Sequence, residues 1–400
     1  MKCVVILPDG AADEPLAELG GRTPLEAASL PNMHWVARHG RLGRAVTVPA
    51  GFTPGTDVAT LSVFGYDPHE SYSGRAPIEA AARGLSAGPD ELIFRCNFVT
   101  IDKGRMADYT AGHIAQDEAN QLIADLGALA ASGEPALRGC RFFTSVSYRN
   151  LMIADGATAF DLRTAPPHDI PDRPVADHLP QGAGRERVLR IMTAARAMLA
   201  DHEVNRRRRA EKRSEVTDIW LWGQGQPVAL TPFEERFGLS GVVITGVDII
   251  RGLALMMGME LLEVPGATGY IDTNYAGKGA AAVRALEQYD LVVAHIEAPD
   301  EAGHLGNVAE KVTALEQIDE HVVGPLLRKL QTLADWRMLI APDHPTPCTT
   351  MAHDATPPPF CFAGSGVPAT EGGIFTEAEA LASGLVVDPG HRLMELVLAG

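Results

Sequence analysis

Short runs that are almost wholly apolar alternate along the chain with stretches whose apolar residues recur at helical spacing. The runs are Cys3–Leu7, Ile219–Trp222, Val242–Thr245, Leu291–Ile296, Met338–Ala341 and Phe360–Ala363. Such runs predict strands buried on both faces, as in a parallel sheet covered by helices. The stretches Asp248–Met259, Gly279–Tyr289 and Glu310–Leu333 predict helices. Alternating strands and helices imply an α/β fold with a mostly parallel sheet. From about Asp108 to Glu215 the pattern changes. A helix over Ile114–Leu129 is followed by strand-like runs at Cys140–Ser147 and Asn150–Ala154. A loop rich in Pro and His comes next (Thr164–Pro174), then a basic helix over Arg185–Arg213. This predicts a smaller α+β domain, residues 108–215, inserted into a core domain formed by 1–107 and 216–400.

Composition narrows the class. The chain has 400 residues, 46% hydrophobic and 21% charged, which excludes a disordered chain. No apolar run approaches the ~18 residues that span a bilayer, so no membrane partner is expected. The net charge of −17 lacks the basic footprint of a nucleic-acid binder. A small anionic substrate would need a local positive field. Cys3, Cys96, Cys140, Cys348 and Cys361 have no close spacing, against both a disulfide framework and a thiolate zinc site. The apolar stretch after Met1 is too short for a signal peptide, and a soluble cytoplasmic protein is expected.

The strand ends carry the chemistry. Functional residues of open parallel sheets gather at the carboxyl ends of strands. Cys3–Leu7 runs into Pro8-Asp9-Gly10, and Leu291–Ile296 into Glu297-Ala298-Pro299-Asp300-Glu301-Ala302-Gly303-His304. Met338–Ala341 runs into Pro342-Asp343-His344-Pro345, with His353 and Asp354 shortly after. Oxygen and imidazole donors without thiolate suit Mn²⁺ or Zn²⁺. Asp9, Asp300, Asp343, His304, His344 and His353 exceed the needs of one ion, so a two-metal site is expected. Asp300 and His304 have the i, i+4 spacing of helical ligands, although Gly303 weakens a helix there. In Pro54-Gly55-Thr56-Asp57 the turn precedes a helix, which puts Thr56 at a helix N-terminus. There it can be an N-cap or a nucleophile beside a bound phosphate.

At this point the chain resembles the archaeal-type 2,3-bisphosphoglycerate-independent phosphoglycerate mutases of the alkaline phosphatase superfamily. The resemblance runs almost end to end. It includes Glu18-Leu19-Gly20-Gly21-Arg22-Thr23-Pro24-Leu25, Gly65-Tyr66-Asp67-Pro68, Arg95-Cys96-Asn97 and Asp108-Tyr109-Thr110-Ala111-Gly112-His113-Ile114. It continues through Ser147-Tyr148-Arg149, Pro166-Pro167-His168-Asp169-Ile170, Trp220-Leu221-Trp222-Gly223-Gln224-Gly225 and Asp272-Thr273-Asn274-Tyr275. It implies an alkaline-phosphatase-like core with an inserted domain. It also implies two divalent ions, Mn²⁺ or Zn²⁺ with Mg²⁺ or Co²⁺ also suited, and no 2,3-bisphosphoglycerate. Asp9, Thr56, Asp343 and His344 would surround one ion; Asp300, His304 and His353 would hold the other. The hydroxyl would attack phosphorus, interconverting 3- and 2-phosphoglycerate through a phosphothreonine. Two departures stand out: Thr56 replaces the family's usual Ser, and Asp354 follows His353 where a hydroxyl residue is common.

The substrate carboxylate and free hydroxyl need further donors. His113, Arg149, His168, Asp169 and Arg208 of the insert are expected there, and Lys278 at a phosphoryl oxygen. By resemblance these motifs line the cleft between domains. Alternatives are a related phosphotransferase such as a homoserine kinase, and a phosphomonoesterase. Gly84-Leu85-Ser86-Ala87-Gly88 spells a nucleophile elbow but lacks the preceding strand, and Gly277-Lys278 is no phosphate-binding loop. Oligomeric state is not encoded in any of these features.

Overall fold

A computed structural model describes residues 1–369 and 373–400. In chain order its strands are β1 (Lys2–Pro8), β2 (Arg41–Ala45), β3 (Glu91–Asp102), β4 (Arg105–Asp108), β5 (Cys140–Val146), β6 (Arg149–Asp155), β7 (Asp161–Arg163) and β8 (Gln181–Ala183). Then follow β9 (Asp218–Gly225), β10 (Gly241–Ile244), β11 (Glu260–Leu261), β12 (Leu291–Ile296), β13 (Trp336–Ile340), β14 (Pro359–Gly364) and β15 (Val386–Val387). The described residues form two compact units, Met1–Tyr72 with Ala229–Gly400, and Ser73–Val228.

The first unit is built on one sheet of order β11-β10-β12-β1-β13-β14-β2-β15. β1 lies in its middle, parallel to β12 (Val4↔Val292, Ile6↔Ala294) and to β13 (Val4↔Met338, Ile6↔Ile340). β14 runs antiparallel to β13 and to β2. The central strands are apolar on both faces because both are covered. On one side Val4, Ile6, Val292, Ala294, Met338 and Ile340 join a core with Met33, Ala282, Ile318 and Leu327 from helices. These helices are Pro31–Arg38, Tyr275–Ala285, Val308–Ile318 and Gly324–Leu330. The expected single helix over Glu310–Leu333 contains a wide π-helical turn at Asp319–Val323. There the Asp319 carboxylate accepts from the main-chain N–H of Asn32 and Met33.

The second unit is an antiparallel sheet. β3 is its long central strand, paired with β4, β6 and β9, and β6 pairs in turn with β5. Helices Gln116–Ala131 and Arg185–Ala200 pack on it, so that Phe94, Phe98, Leu122, Leu126, Ile191 and Ala195 share one core. This unit extends beyond the expected insert of 108–215 at both ends. On the carboxyl side the reason is β9: its run Ile219–Trp222 was expected in the parallel sheet, but it is antiparallel to β3, which itself precedes Asp108. Burial on both faces marks an interior strand in either kind of sheet and does not fix its partner's direction. The basic helix expected over Arg185–Arg213 is two helices, ending at Ala200 and restarting at Glu203, where His202 caps the new helix by accepting from the Val204 N–H.

Candidate active site

In the first unit, chain-distant residues converge at the carboxyl edge of the sheet. Asp9 follows β1 directly, and Asp343 and His344 follow β13. Asp300 and His304 lie on helix Ala298–His304 after β12, and His353 is in a loop. The helix tolerates Gly303 because it needs it: a Cβ there would lie 2.3 Å from the Thr346 carbonyl oxygen. Asp300 is flanked by two imidazoles, Oδ2 being 3.2 Å from His304 Nε2 and Oδ1 3.4 Å from His353 Nε2. Those two Nε2 atoms are 2.9 Å apart. His344 Nε2 lies 3.4 Å from Asp343 Oδ2, 3.6 Å from Asp9 Oδ1 and 3.4 Å from Thr56 Oγ1. Ligating atoms of Asp300, His304 and His353 fall within 4.8 Å of one another, and so do those of Asp9, Asp300 and His344.

Thr56 is the first residue of helix Thr56–Val63, and the N-cap position is Gly55. The hydroxyl therefore does not cap its own helix. It is buried, with Oγ1 facing His344. The next residue, Asp57, is held by the Tyr72 hydroxyl at 2.8 Å and by the Val58 N–H at 3.0 Å. Helix N-termini present free N–H groups to anions, and the Thr56 hydroxyl lies at such an end.

Several acidic groups of the site are buried together, and some of their oxygens lack a partner. Asp9 Oδ1, Asp343 Oδ2 and Glu297 Oε2 are buried and have no hydrogen-bond partner. Buried polar atoms are ordinarily paired, and an orphaned carboxylate oxygen is costly. Burial, and the negative charge of Asp343, Glu297 and Asp300, push the Asp9 carboxyl well above the usual range. Burial and Asp300 push Glu297 up to about 8. Burial also raises Asp300, but hydrogen bonds from His304 and His353 outweigh it and hold that carboxyl well below its ordinary value. The hydrogen bond to Asp300 lifts His304 to about 9. Hard oxygen donors, imidazoles and orphaned anionic atoms form a donor set that fits divalent cations.

Further site residues escaped sequence reasoning. Thr346 Oγ1 donates to Asp300 Oδ1 at 2.5 Å and lies 3.3 Å from His344 Nδ1. Glu297 and His295 form a third cluster with Asp9. A buried ion pair, Lys311 to Asp13 at 2.8 Å, lies behind the loops, with Lys311 Nζ also donating to the carbonyls of Ala12 and Thr346. The available signals were a polar His inside the apolar run of β12 and a Lys in an amphipathic helix. Neither names a partner.

The substrate-side residues divide. In the second unit, His168 packs edge-on against Trp222 (5.3 Å) and Tyr109 (6.3 Å), and Tyr109 against Tyr148 (6.4 Å). His113 and the Arg149 guanidinium lie 6.5 Å and 5.5 Å from the Tyr148 ring. Asp169 Oδ1 is 3.6 Å from His168 Nε2. His113, Arg149, His168 and Asp169 thus share one exposed aromatic patch. Arg208 does not join them. It is buried and its donors are taken by Glu118 Oε2 (2.6 Å), Ala111 O (2.5 Å) and Ser214 O (2.6 Å). Lys278, in the first unit, is also buried, with Nζ on the His295 carbonyl at 3.1 Å and burial lowering its pKa to about 8. Both were expected to bind substrate; Arg208 spends its donors within the fold, and Lys278 gives one of its three to a carbonyl.

Fold and site together define an open α/β protein that collects acidic and imidazole groups around a hydroxyl at the sheet's carboxyl edge. A family model described as 2,3-bisphosphoglycerate-independent phosphoglycerate mutase matches residues 37–205. The protein of that name from Methanothrix thermoacetophila is 47% identical, covering 100% of both chains. Among solved structures, a Pyrococcus horikoshii protein is 30% identical at a TM-score of 0.83, covering 100% of this chain and 96% of its own. The cofactor-independent phosphoglycerate mutase of Thermoplasma acidophilum is 26% identical at a TM-score of 0.67, covering 100% and 99%. The chain belongs to the 2,3-bisphosphoglycerate-independent phosphoglycerate mutase family.

Proposed function

We propose that the protein interconverts 3-phosphoglycerate and 2-phosphoglycerate without 2,3-bisphosphoglycerate, using two divalent cations and a phosphothreonine at Thr56. The observation that carries this reading is the buried Thr56 hydroxyl, free of capping duty, among orphaned carboxylate oxygens and imidazoles. Asp9, Thr56, Asp343 and His344 would hold one cation, and Asp300, His304 and His353 the other. Bound cations supply positive charge for the phosphoryl oxygens and ease deprotonation of a nearby hydroxyl. The Thr56 oxygen forms a bond to phosphorus as the bond to the glycerate oxygen breaks, and that oxygen takes up a proton. The other glycerate hydroxyl then attacks phosphothreonine, gives up its proton and releases Thr56. For the substrate carboxylate we assign Arg149, whose fork matches it. His168 and Asp169 are assigned to the hydroxyl proton.

The test is a coupled assay of 3- to 2-phosphoglycerate conversion on chelator-treated protein before and after Mn²⁺. Activity is expected only with the ion. Thr56→Ala is expected to lower it by roughly a thousand-fold or more, while Thr56→Ser retains it. Undiminished turnover by Thr56→Ala would remove the covalent step. Inorganic phosphate as the main product would make the protein a phosphomonoesterase, and ATP-dependent phosphorylation of homoserine would make it a kinase.

A further inference from the structure

A hydrogen-bonded chain stands behind Asp9 and involves none of the expected ligands except Asp9 itself. His295 lies on β12, wholly buried, with Nε2 at 2.8 Å from Asp9 Oδ2 and 3.3 Å from Glu297 Oε2. Its Nδ1 is 3.0 Å from Thr245 Oγ1. Thr245 follows β10 and is itself buried, and its Oγ1 accepts from the Val247 N–H at 3.0 Å. Lys278 Nζ fixes the main chain of His295 through its carbonyl.

The donors can be assigned from these partners. Nε2 lies nearest Asp9 Oδ2, and once Asp9 is ionised, as holding a cation requires, that oxygen only accepts, so Nε2 carries the ring hydrogen. Nδ1 is then an acceptor, and the Thr245 hydroxyl must donate to it. One end of Asp9, Oδ2, is thereby tied back. The other end, Oδ1, is the orphan that lies 3.6 Å from His344 Nε2.

We propose that Thr245 and His295 are positioning residues. The hydroxyl fixes the imidazole tautomer, and the imidazole fixes the carboxylate so that a single oxygen of Asp9 is presented to a cation. Groups that orient metal ligands in this way typically change affinity by about 10- to 100-fold when removed. The inference rests on the two-cation reading above for what Asp9 binds and for its ionisation.

Nitrogen-15 NMR of histidine-labelled, chelator-treated protein reads the tautomer directly, and calorimetric titration with Mn²⁺ reads the affinity. His295 is expected as the Nε2–H tautomer in the unsubstituted protein. Thr245→Val is expected to weaken Mn²⁺ binding about tenfold or more and to lose the single tautomer, and Thr245→Ser to restore both. An Nδ1–H tautomer in the unsubstituted protein, or wild-type Mn²⁺ affinity in Thr245→Val, overturns the proposal. If Thr245→Val does not fold, the spectrum of the unsubstituted protein decides alone. Failure of the unsubstituted protein to bind Mn²⁺ is a separate result: it removes the two-cation reading and leaves the tautomer to be read.

Discussion

One hydroxyl at Thr346 serves two candidate ligands. Its hydrogen goes to Asp300 Oδ1 and its oxygen faces His344 Nδ1, while His344 Nε2 is turned toward Asp343, Asp9 and Thr56. Thr346→Val keeps the shape and removes both contacts. It is expected to weaken Mn²⁺ binding by about tenfold, with Thr346→Ser near the parent, as read by calorimetric titration. Gly303 acts on the same residue from the other side. Gly303→Ala places a methyl group 2.3 Å from the Thr346 carbonyl oxygen, so the helix carrying Asp300 must shift; loss of Mn²⁺ affinity and a lower melting temperature are expected. One Asp after a strand is ordinarily a turn residue, and it was the recurrence of Asp and His after several apolar runs that singled out the ligand-type residues. Thr346, Thr245 and His295 were not legible. A Thr in a loop has many uses, and its role depends on which distant side chain the fold sets beside it.

At the scale of elements, Lys311 ties helix Val308–Ile318 to the loop after β1 and the loop after β13. Both Lys311 and Asp13 are fully buried, and Asp13 also accepts from the N–H of Glu14 and Cys348. Removing one charge strands the other. Lys311→Met is expected to cost about 3–5 kcal/mol in urea unfolding, and adding Asp13→Leu to recover part of that loss. In the second unit, Arg208 and Arg213 join helices Gln116–Ala131 and Glu203–Ala210 through Glu118. Burial raises the Glu118 carboxyl, but hydrogen bonds from Arg213 and Arg208 outweigh it and hold it below its ordinary 4.5. A depressed carboxyl stabilises fully above its unfolded value and loses that contribution as pH falls through its folded one. Urea midpoints measured across pH should therefore decline below about pH 4.5, and more shallowly in Glu118→Gln. The strands were legible from their apolar runs. The break at Asp201 and His202 was not, because no Gly or Pro marks it and the residues on either side are ordinary helix formers.

At the scale of the molecule, the Ser73–Val228 unit has its own sheet and cores, including the smaller cluster of Ala76, Ala80, Ile93, Leu151 and Ile153. Expressed alone, residues 73–228 are expected to show far-ultraviolet circular dichroism of mixed helix and strand and one cooperative melting transition. Mn²⁺ should leave that transition unmoved while raising the melting temperature of the full chain. A cation at 100 times its dissociation constant adds about 2.7 kcal/mol to the state that binds it. The change of hydrophobic pattern near Asp108 falls inside this unit rather than at its edge. Its limits were not legible, because β3 had no run singled out and the apolar run of β9 reads as an interior strand wherever it pairs.

The location of β1 bears on how the molecule is made. β1 is flanked by β12 and β13, so neither neighbour exists until translation reaches Leu291 and Trp336. Residues 73–228 can finish folding during that wait, while the apolar segment Cys3–Leu7 stays without a neighbour and open to chaperones or to other nascent chains. Nascent chains stalled before Leu291 should therefore be protease-resistant in the second unit and cleavable in the first forty residues, which roughly span β1 and helix Pro31–Arg38.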